Sequence, residues 1–150
     1  MSTAVDKVQN KMILRPLKIN DITDEYVGWW KKRKFTKYLE TKSLTKDIAI
    51  EHILECNKTG CFLCAVVVDG VHVGNVKLDN NRDLSIIIFP PYQGNGYATA
   101  AIEKMVAFVG KPVRAGVRGG NIESLRAFKK AGFVEVGRTQ DIIYLANNPN

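Results

Sequence analysis

A chain of 150 residues that is 45% apolar and 25% charged has the composition of an ordinary globular domain, which excludes a disordered tail, a collagen-like fibre and a membrane-embedded bundle. Its net charge of +7, from 22 basic and 15 acidic side chains, is spread along the sequence instead of striping one helix, so a nucleic-acid partner is not expected. The one tight cluster, Lys31-Lys32-Arg33-Lys34 with Lys37, reads either as a solvated helix end or as a rim for a small polyanion. At this length roughly two-thirds of the unfolded surface is buried on folding. Residues 1–150 are therefore expected to form a single domain, with residues 1–11 as a flexible N-terminal segment. The three cysteines are odd in number and confined to residues 56–64. No cleavable hydrophobic stretch follows Met1, and the longest apolar run, Cys61 to Val68, is far short of the ~20 residues a membrane span needs. A reducing, cytoplasmic setting is the expectation.

In chain order, Met12 to Lys18 alternates apolar and polar residues and reads as a strand, placed at a sheet edge because Pro16 cannot donate to a ladder. Thr23 then caps a helix whose Tyr26, Trp29, Trp30 and Arg33 share one aromatic face. Ser43 to Thr59, stopped by Gly60, is a second helix, with Ala49, Ile50, Ile53 and Leu54 inward. Cys61 to Val68 and Val71 to Leu78 flank Asp69-Gly70, a hairpin signal. Asp83 to Phe89 is the next strand and Pro90-Pro91 ends it. A helix then opens at Gln93-Gly94-Asn95-Gly96-Tyr97-Ala98 and closes at Gly110, with Ala98, Ala101, Ile102, Met105, Phe108 and Val109 as its apolar stripe. Pro112 to Val117 is a short strand, Asn121 to Ala131 a helix closed by Gly132, and Phe133 to Val136 and Ile142 to Ala146 are two final strands.

Two segments carry chemistry. A buried strand that stops at Pro90-Pro91 and passes through Gly94 and Gly96 into a helix brings backbone N–H groups, unobstructed by side chains, to the positive end of a helix dipole, which is an anion site. Its spacing is neither that of a nucleoside-triphosphatase loop, since no Lys-Ser/Thr follows, nor Gly-x-Gly-x-x-Gly. In the second segment Asn121, Ser124, Leu125 and Phe128 fall on one helical face and Glu123, Arg126 and Lys130 on the other. Taken alone, Asn121 reads as a helix cap and Ser124 as a residue bonding back to a carbonyl.

Together the two segments resemble the general-control-type N-acetyltransferase superfamily, GNAT. Gln93-x-x-Gly96-x-Ala98 looks like its coenzyme A pyrophosphate loop, and Asn121-x-x-Ser124-x-x-x-Phe128-x-x-x-Gly132-Phe133 like its second signature. The wording His72-Val73-Gly74-Asn75-Val76-Lys77-Leu78, Gly96-Tyr97-Ala98-Thr99-Ala100-Ala101-Ile102, Trp29-Trp30 and Lys37-Tyr38-Leu39-Glu40 is similar to the branch holding ribosomal-protein N-terminal acetyltransferases and acetyltransferases of amino-sugar biosynthesis. The resemblance implies an α/β (α+β) fold: a mixed, mostly antiparallel, curved sheet of six to seven strands, splayed at an acetyl-CoA site, with about four helices.

It also implies site residues. The thioester arm would lie along Ile86, Ile87 and Ile88 like an added strand, with the Ile88 N–H facing the developing oxyanion. The pyrophosphate would take the amides of Gly94, Asn95, Gly96, Tyr97 and Ala98, with Gln93, Asn121, Ser124 and Phe128 also at the coenzyme and Lys129 reaching its 3'-phosphate. Direct transfer to a primary amine asks for a base and for an acid to protonate the leaving thiolate. Asp83 stands where this branch often carries a glutamate, one methylene longer. Phe128 stands where many relatives place a tyrosine, which leaves Ser124 or Tyr144, or no acid at all. Trp29 and Trp30 are core residues or, for one of them, a wall of the acceptor pocket.

Cys61-x-x-Cys64 has no second pair and, in a strand, throws its thiols to opposite faces, so core packing is expected there and no metal. His52 and His72 stand apart from each other and read as surface or satisfied histidines. The expected function is acetyl transfer from acetyl-CoA to a small amine, with an amino-sugar nucleotide or other phosphorylated amine favoured. A ribosomal-protein-type N-terminal acetyltransferase and a non-catalytic acyl-CoA-binding module are the alternatives. The expected partner is the small-molecule amine, with a homodimer left open and no membrane or nucleic acid involved.

Overall fold

Asp69 and Gly70 both adopt positive φ, 49° and 80°, the turn whose twist matches that of flanking strands, and they close the hairpin around which the first sheet forms. The computed structural model describes residues 4–30 and 45–148. The basic cluster at residues 31–34 with Lys37, the Lys37-Tyr38-Leu39-Glu40 wording and Ser43 lie outside the described residues. The hairpin strands are β2 (Phe62–Val68) and β3 (Val71–Leu78), with β1 (Met12–Pro16) and β4 (Leu84–Ile88) outside them in the order β1-β2-β3-β4, all antiparallel. Pro16 thus sits on an edge strand, as its missing N–H requires. At Gly74 on β3 an added Cβ would overlap the Ile87 carbonyl oxygen, so only glycine lets β3 approach the end of β4 this closely.

Helices cover both faces of this sheet. On one lie α2 (Asp24–Trp29), whose first turn is capped by Thr23 Oγ1 accepting from Tyr26 N at 3.1 Å, and α3 (Lys46–Thr59), capped in the same way by Thr45. They bury Ile22, Tyr26, Val27, Ala49 and Ile53 against Leu17, Ala65, Val67 and Phe89. The inward stripe of α3 is Ala49, Ile53 and Cys56. Leu54, expected inward, is 49% exposed, because a stripe at i, i+4 and i+7 leaves the next residue about 100° away around the helix.

On the other face α4 (Tyr97–Val109) and α5 (Ile122–Lys130) bury Ile102, Met105, Leu125 and Phe128 against Val66, Val76, Leu84 and Leu145. Phe108, also expected inward, is 70% exposed and meets Phe62 edge-on at 5.7 Å. Of the expected N-terminal segment, residues 1–3 lie outside the described residues. Residues Ala4–Lys11 form a helix, α1, that docks on α4: Val8 packs against the core, Gln9 Nε2 donates to Ala100 O at 2.7 Å and Lys104 Nζ donates to Gln9 O at 3.2 Å.

The cysteine expectation is corrected. Gly60 ends α3 in the left-handed region with φ 80°, and Gly60 N and Cys61 N both donate to Cys56 O. This turn folds the chain back so that Cys56 and Cys61 lie 5.1 Å apart at Cα and are joined by a disulfide, within the span such a bridge accepts. Cys61 is therefore bridged instead of packed in the core, and the cysteine count no longer argues for a reducing compartment. Cys64 is the free cysteine, half-buried, its thiol pKa pushed up by burial. Among the described residues no helix is long and apolar enough to cross a membrane.

The second sheet is β5 (Arg114–Arg118), β7 (Ile142–Ala146) and β6 (Val134–Arg138), in that order and antiparallel. One parallel bridge, Asp83 to Arg114, is what joins it to the first sheet. The expected architecture is present: seven strands and five α-helices among the described residues, with β4 and β5 touching at their starts and parting beyond.

Candidate active site

The gap between β4 and β5 is closed at one end and open at the other. At the closed end Arg114 N donates to Arg82 O at 3.0 Å, and Arg114 Nε pairs with Asp83 Oδ1 at 3.2 Å. Past this point Leu84–Ile88 pairs only with β3. Phe89 N donates to Val73 O at 2.8 Å. By the alternation of an antiparallel ladder, the N–H and C=O groups of Ile86 and Ile88 then point away from β3, into the gap. The Ile88 carbonyl accepts from Gln93 Nε2 at 2.9 Å, which ties the following loop to the strand end. What remains is a strand edge that an extended, amide-bearing ligand can complete as an added strand.

The mouth of the gap is built from backbone. After Ile88 the chain makes a short turn at Pro90–Tyr92 and enters α4 through Gly94 and Gly96, both left-handed at φ 81° and 78°. Gly96 is the N-cap and supplies no side-chain cap, whereas Thr23, Thr45 and Asn121 cap α2, α3 and α5. The first-turn N–H groups of α4 are thus left to a ligand at the positive end of the helix dipole. Among the described residues, no atom beyond the adjoining backbone lies within 4 Å of a Cβ built at Gly94 or Gly96, which leaves space for an anion. Asn95 steadies the loop, its Nδ2 donating to Tyr92 O at 3.0 Å. An opening of this kind fits a pyrophosphate.

β5 runs parallel to β4, so its end and the start of α5 come to the same open side. There Asn121 Oδ1 accepts from Ser124 N at 3.3 Å, and Ser124 is half-buried in the first turn of α5. Asp83 stands at the opposite end of β4 from the loop, about five residues or ~16 Å of strand away from Ile88. Burial, and then the neighbouring Asp79, raise its carboxyl pKa, while Arg114 opposes them. Tyr144 pairs in register with Gly116 of β5, and its ring stands over that glycine on the sheet face opposite buried Leu145; it is 42% exposed. Phe128 is 2% exposed and packs edge-on against Phe133 at 5.0 Å, a core position. Lys129 is exposed in the last turn of α5, beside Lys130. Asp83, Ser124 and Tyr144 therefore sit on three separate elements, and no hydrogen bond between any two of them is found.

Trp29 and Trp30 end α2 beside the mouth. Trp29 stacks on Phe89 at 6.2 Å, and Trp30 lies 6.3 Å from Tyr26. Behind them is a polar line that the sequence did not reveal. Asn75, 6% exposed on β3, donates from Nδ2 to Tyr26 Oη at 2.8 Å, and its Oδ1 lies 2.8 Å from His72 Nε2. His72 stacks on Tyr26 at 5.9 Å and meets Phe89 edge-on at 5.2 Å. The available signal was Asn75 itself, a polar residue among apolar ones in a strand buried on both faces. His72 is the satisfied histidine of the two alternatives.

A splayed pair of parallel strands, with a glycine-opened helix start at the mouth, defines the class of enzymes that hold acetyl-CoA in the gap and pass its acetyl group to an amine. The family described as "Acetyltransferase (GNAT) domain" matches residues 11–134. The chain belongs to this family and is an acetyl-CoA-dependent N-acetyltransferase. Solved structures with the same fold include a spermidine N-acetyltransferase from Vibrio cholerae in complex with CoA and spermine, 20% identical with a TM-score of 0.78, covering 91% of this chain and 95% of that one. A GNAT acetyltransferase from Bacillus anthracis is 18% identical with a TM-score of 0.75, covering 91% and 93%. The aminoglycoside acetyltransferase AAC(6')-Ib, in complex with paromomycin and acetyl-CoA, is 12% identical with a TM-score of 0.79, covering 92% and 93%. The sequence has no significant match among curated proteins.

Proposed function

We propose that this enzyme transfers acetyl directly from acetyl-CoA to the primary amine of a small, free molecule. The observation that carries the reading is the pairing of a strand edge at Ile86 and Ile88, which no other strand completes, with the uncapped start of α4 at Gly96. One edge suits the amides of the pantetheine arm, and the other suits the pyrophosphate. A small amine is favoured over a protein N-terminus because the structural neighbours with named acceptors act on spermidine and aminoglycosides. The preference for a phosphorylated acceptor rested on the basic cluster at residues 31–34 with Lys37 and on the wording of residues 72–78; the acceptors named for the structural neighbours are other small amines, so the proposed class is broadened to small amines in general.

In this reading the Ile88 N–H faces the carbonyl oxygen of the thioester and stabilises the tetrahedral oxyanion. Asp83 is the proposed base, and because it stands ~16 Å of strand from Ile88 it acts through a file of several waters along the gap; its raised carboxyl pKa, caused first by burial, favours proton uptake. Ser124 is the proposed acid for the thiolate and Tyr144 its rival, since Phe128 has no proton to give. Lys129 is the proposed cation for the 3'-phosphate. The test is calorimetric titration with CoA, followed by acetyl-CoA turnover on spermidine, ribostamycin, a sugar-nucleotide amine and an N-terminal peptide. CoA binding with turnover of a small amine is expected. Turnover of the peptide alone would overturn the acceptor class, and no CoA binding would overturn the site.

A further inference from the structure

Acetyl transfer needs the acceptor nitrogen held against the thioester, and the elements that define the proposed acceptor side are the end of β4 at Ile88-Phe89 and the end of α2 at Trp29-Trp30. They are connected. From β3, Asn75 Nδ2 donates to Tyr26 Oη at 2.8 Å and Asn75 Oδ1 lies 2.8 Å from His72 Nε2. Asn75 and the Trp30 indole both favour charge on the Tyr26 oxygen, against a larger effect of burial that raises its pKa. His72 and Tyr26, stacked on each other, both meet the Phe89 ring edge-on, at 5.2 and 5.6 Å, and Trp29 stacks on it at 6.2 Å. Asn75 is itself the register partner of Ile87. A chain of polar contacts and rings therefore runs from the strand under the acyl arm to the last turn of α2.

We infer that His72, Asn75 and Tyr26 are positioning residues for the amine acceptor, setting where Trp29, Trp30 and Phe89 stand relative to the thioester. The inference rests on the proposed acetyl-transfer reading of the same site. Tyr26 and Asn75 are buried, so they act through the rings they hold and not by touching the acceptor. A residue placed only for core packing would affect folding and both substrates together. None of the hydrogen bonds or ring contacts described for this network is made to the α4 start that takes the pyrophosphate, so its loss is expected to weaken the acceptor alone.

The test uses Tyr26→Phe, which removes one oxygen and keeps the ring, and His72→Leu with His72→Gln as the conservative variant able to donate again to Asn75. Spermidine and ribostamycin serve as acceptors. Tyr26→Phe and His72→Leu should raise the acceptor KM about tenfold, as expected when a buried amide loses its partner. The KM for acetyl-CoA should stay within about twofold, and His72→Gln should restore most of the loss. Trp29 and Trp30 are the only tryptophans of the chain, so their emission reads the end of α2 directly and should shift in Tyr26→Phe and His72→Leu but not in His72→Gln. Equal rises in both KM values, or unchanged acceptor KM with unchanged emission, would overturn the inference. If the wild type acetylates neither amine, the acceptor class of the proposed function fails, and the inference is decided by emission and CoA calorimetry. Shifted emission with unchanged CoA affinity supports it, and unchanged emission overturns it.

Discussion

The two helix starts at the mouth of the gap, those of α4 and α5, are built on opposite principles. α5 is closed by its own sequence: Asn121 Oδ1 accepts from Ser124 N, which satisfies a first-turn donor before any ligand arrives. α4 starts at Gly96 with φ 78° and no side-chain cap, so its first-turn donors are aimed at open space. Both starts lie within the stretch that matches the family, yet only one is left chemically unfinished. An uncapped helix start costs stability that a capped one keeps, and its presence beside a strand edge that no other strand completes is what marks the ligand side.

The largest effect that separates the two helices is chemical. If α5 contributes an acid instead of a binding charge, Ser124→Ala lowers kcat by about 10²-fold or more while CoA affinity measured by calorimetry stays near wild type, and Tyr144→Phe changes little. Near-normal kcat in both variants would remove both residues from the mechanism and leave the thiolate to depart unassisted.

A smaller but still large effect belongs to α4. Gly96→Asp sets a carboxylate and a Cβ in the open space before the first turn and forces a left-handed conformation on a residue that resists it. CoA affinity should fall more than tenfold, about 1.4 kcal/mol or more, with circular dichroism confirming a folded chain. Unchanged binding in a folded variant would mean that the anion does not sit on α4, and the contrast between the helix starts would lose its meaning.

The complementary substitution on α5, Asn121→Ala, should cost about 1 kcal/mol of stability in urea unfolding and change CoA affinity by no more than about threefold. A large loss of CoA affinity without a loss of stability would show that Asn121 serves the ligand and not the helix.

The smallest effect tests whether charge remote from the mouth acts on stability alone. Asp21 is held by Arg15 through a paired hydrogen bond at 2.8 and 2.7 Å, which keeps its carboxyl below the usual aspartate range despite burial. The stabilisation is complete above the ordinary aspartate pKa of about 3.9 and is lost as pH falls through the lower folded value. Asp21→Asn should therefore cost about 1 kcal/mol at pH 7 and progressively less as the pH falls below the ordinary aspartate pKa, the figure being modest because Arg15 is part-exposed. Urea midpoints across that pH range decide it.

Much of the fold was legible because it is written in local backbone chemistry. Asp69-Gly70, Gly60, Gly96, Gly110 and Gly132 impose conformations that few other residues adopt, and Thr23 and Asn121 satisfy helix donors within three residues of themselves. Such effects need no partner from elsewhere in the chain, so β2, β3 and β7 fall within a residue of their expected bounds. The glycine loop and the second signature were legible for the same reason.

What the sequence by itself determined was thus the order of elements, their turns and caps, and the place of the glycine loop. The tertiary structure decided the rest. It chose Ala49, Ile53 and Cys56 over Leu54 as the inward stripe of α3, left Phe108 outside, docked α1 on α4 and brought Cys56 to Cys61. It also placed Asp83 against Arg114 and joined Asn75 to Tyr26 across 49 residues. Each of these depends on which surface an element meets once packed, and periodicity along a helix specifies a face only to within about one residue's rotation. The splay of β4 from β5 is the extreme case: a single bridge pins one end, and past it β4 pairs with β3 and β5 with β7, an arrangement that no segment carries alone.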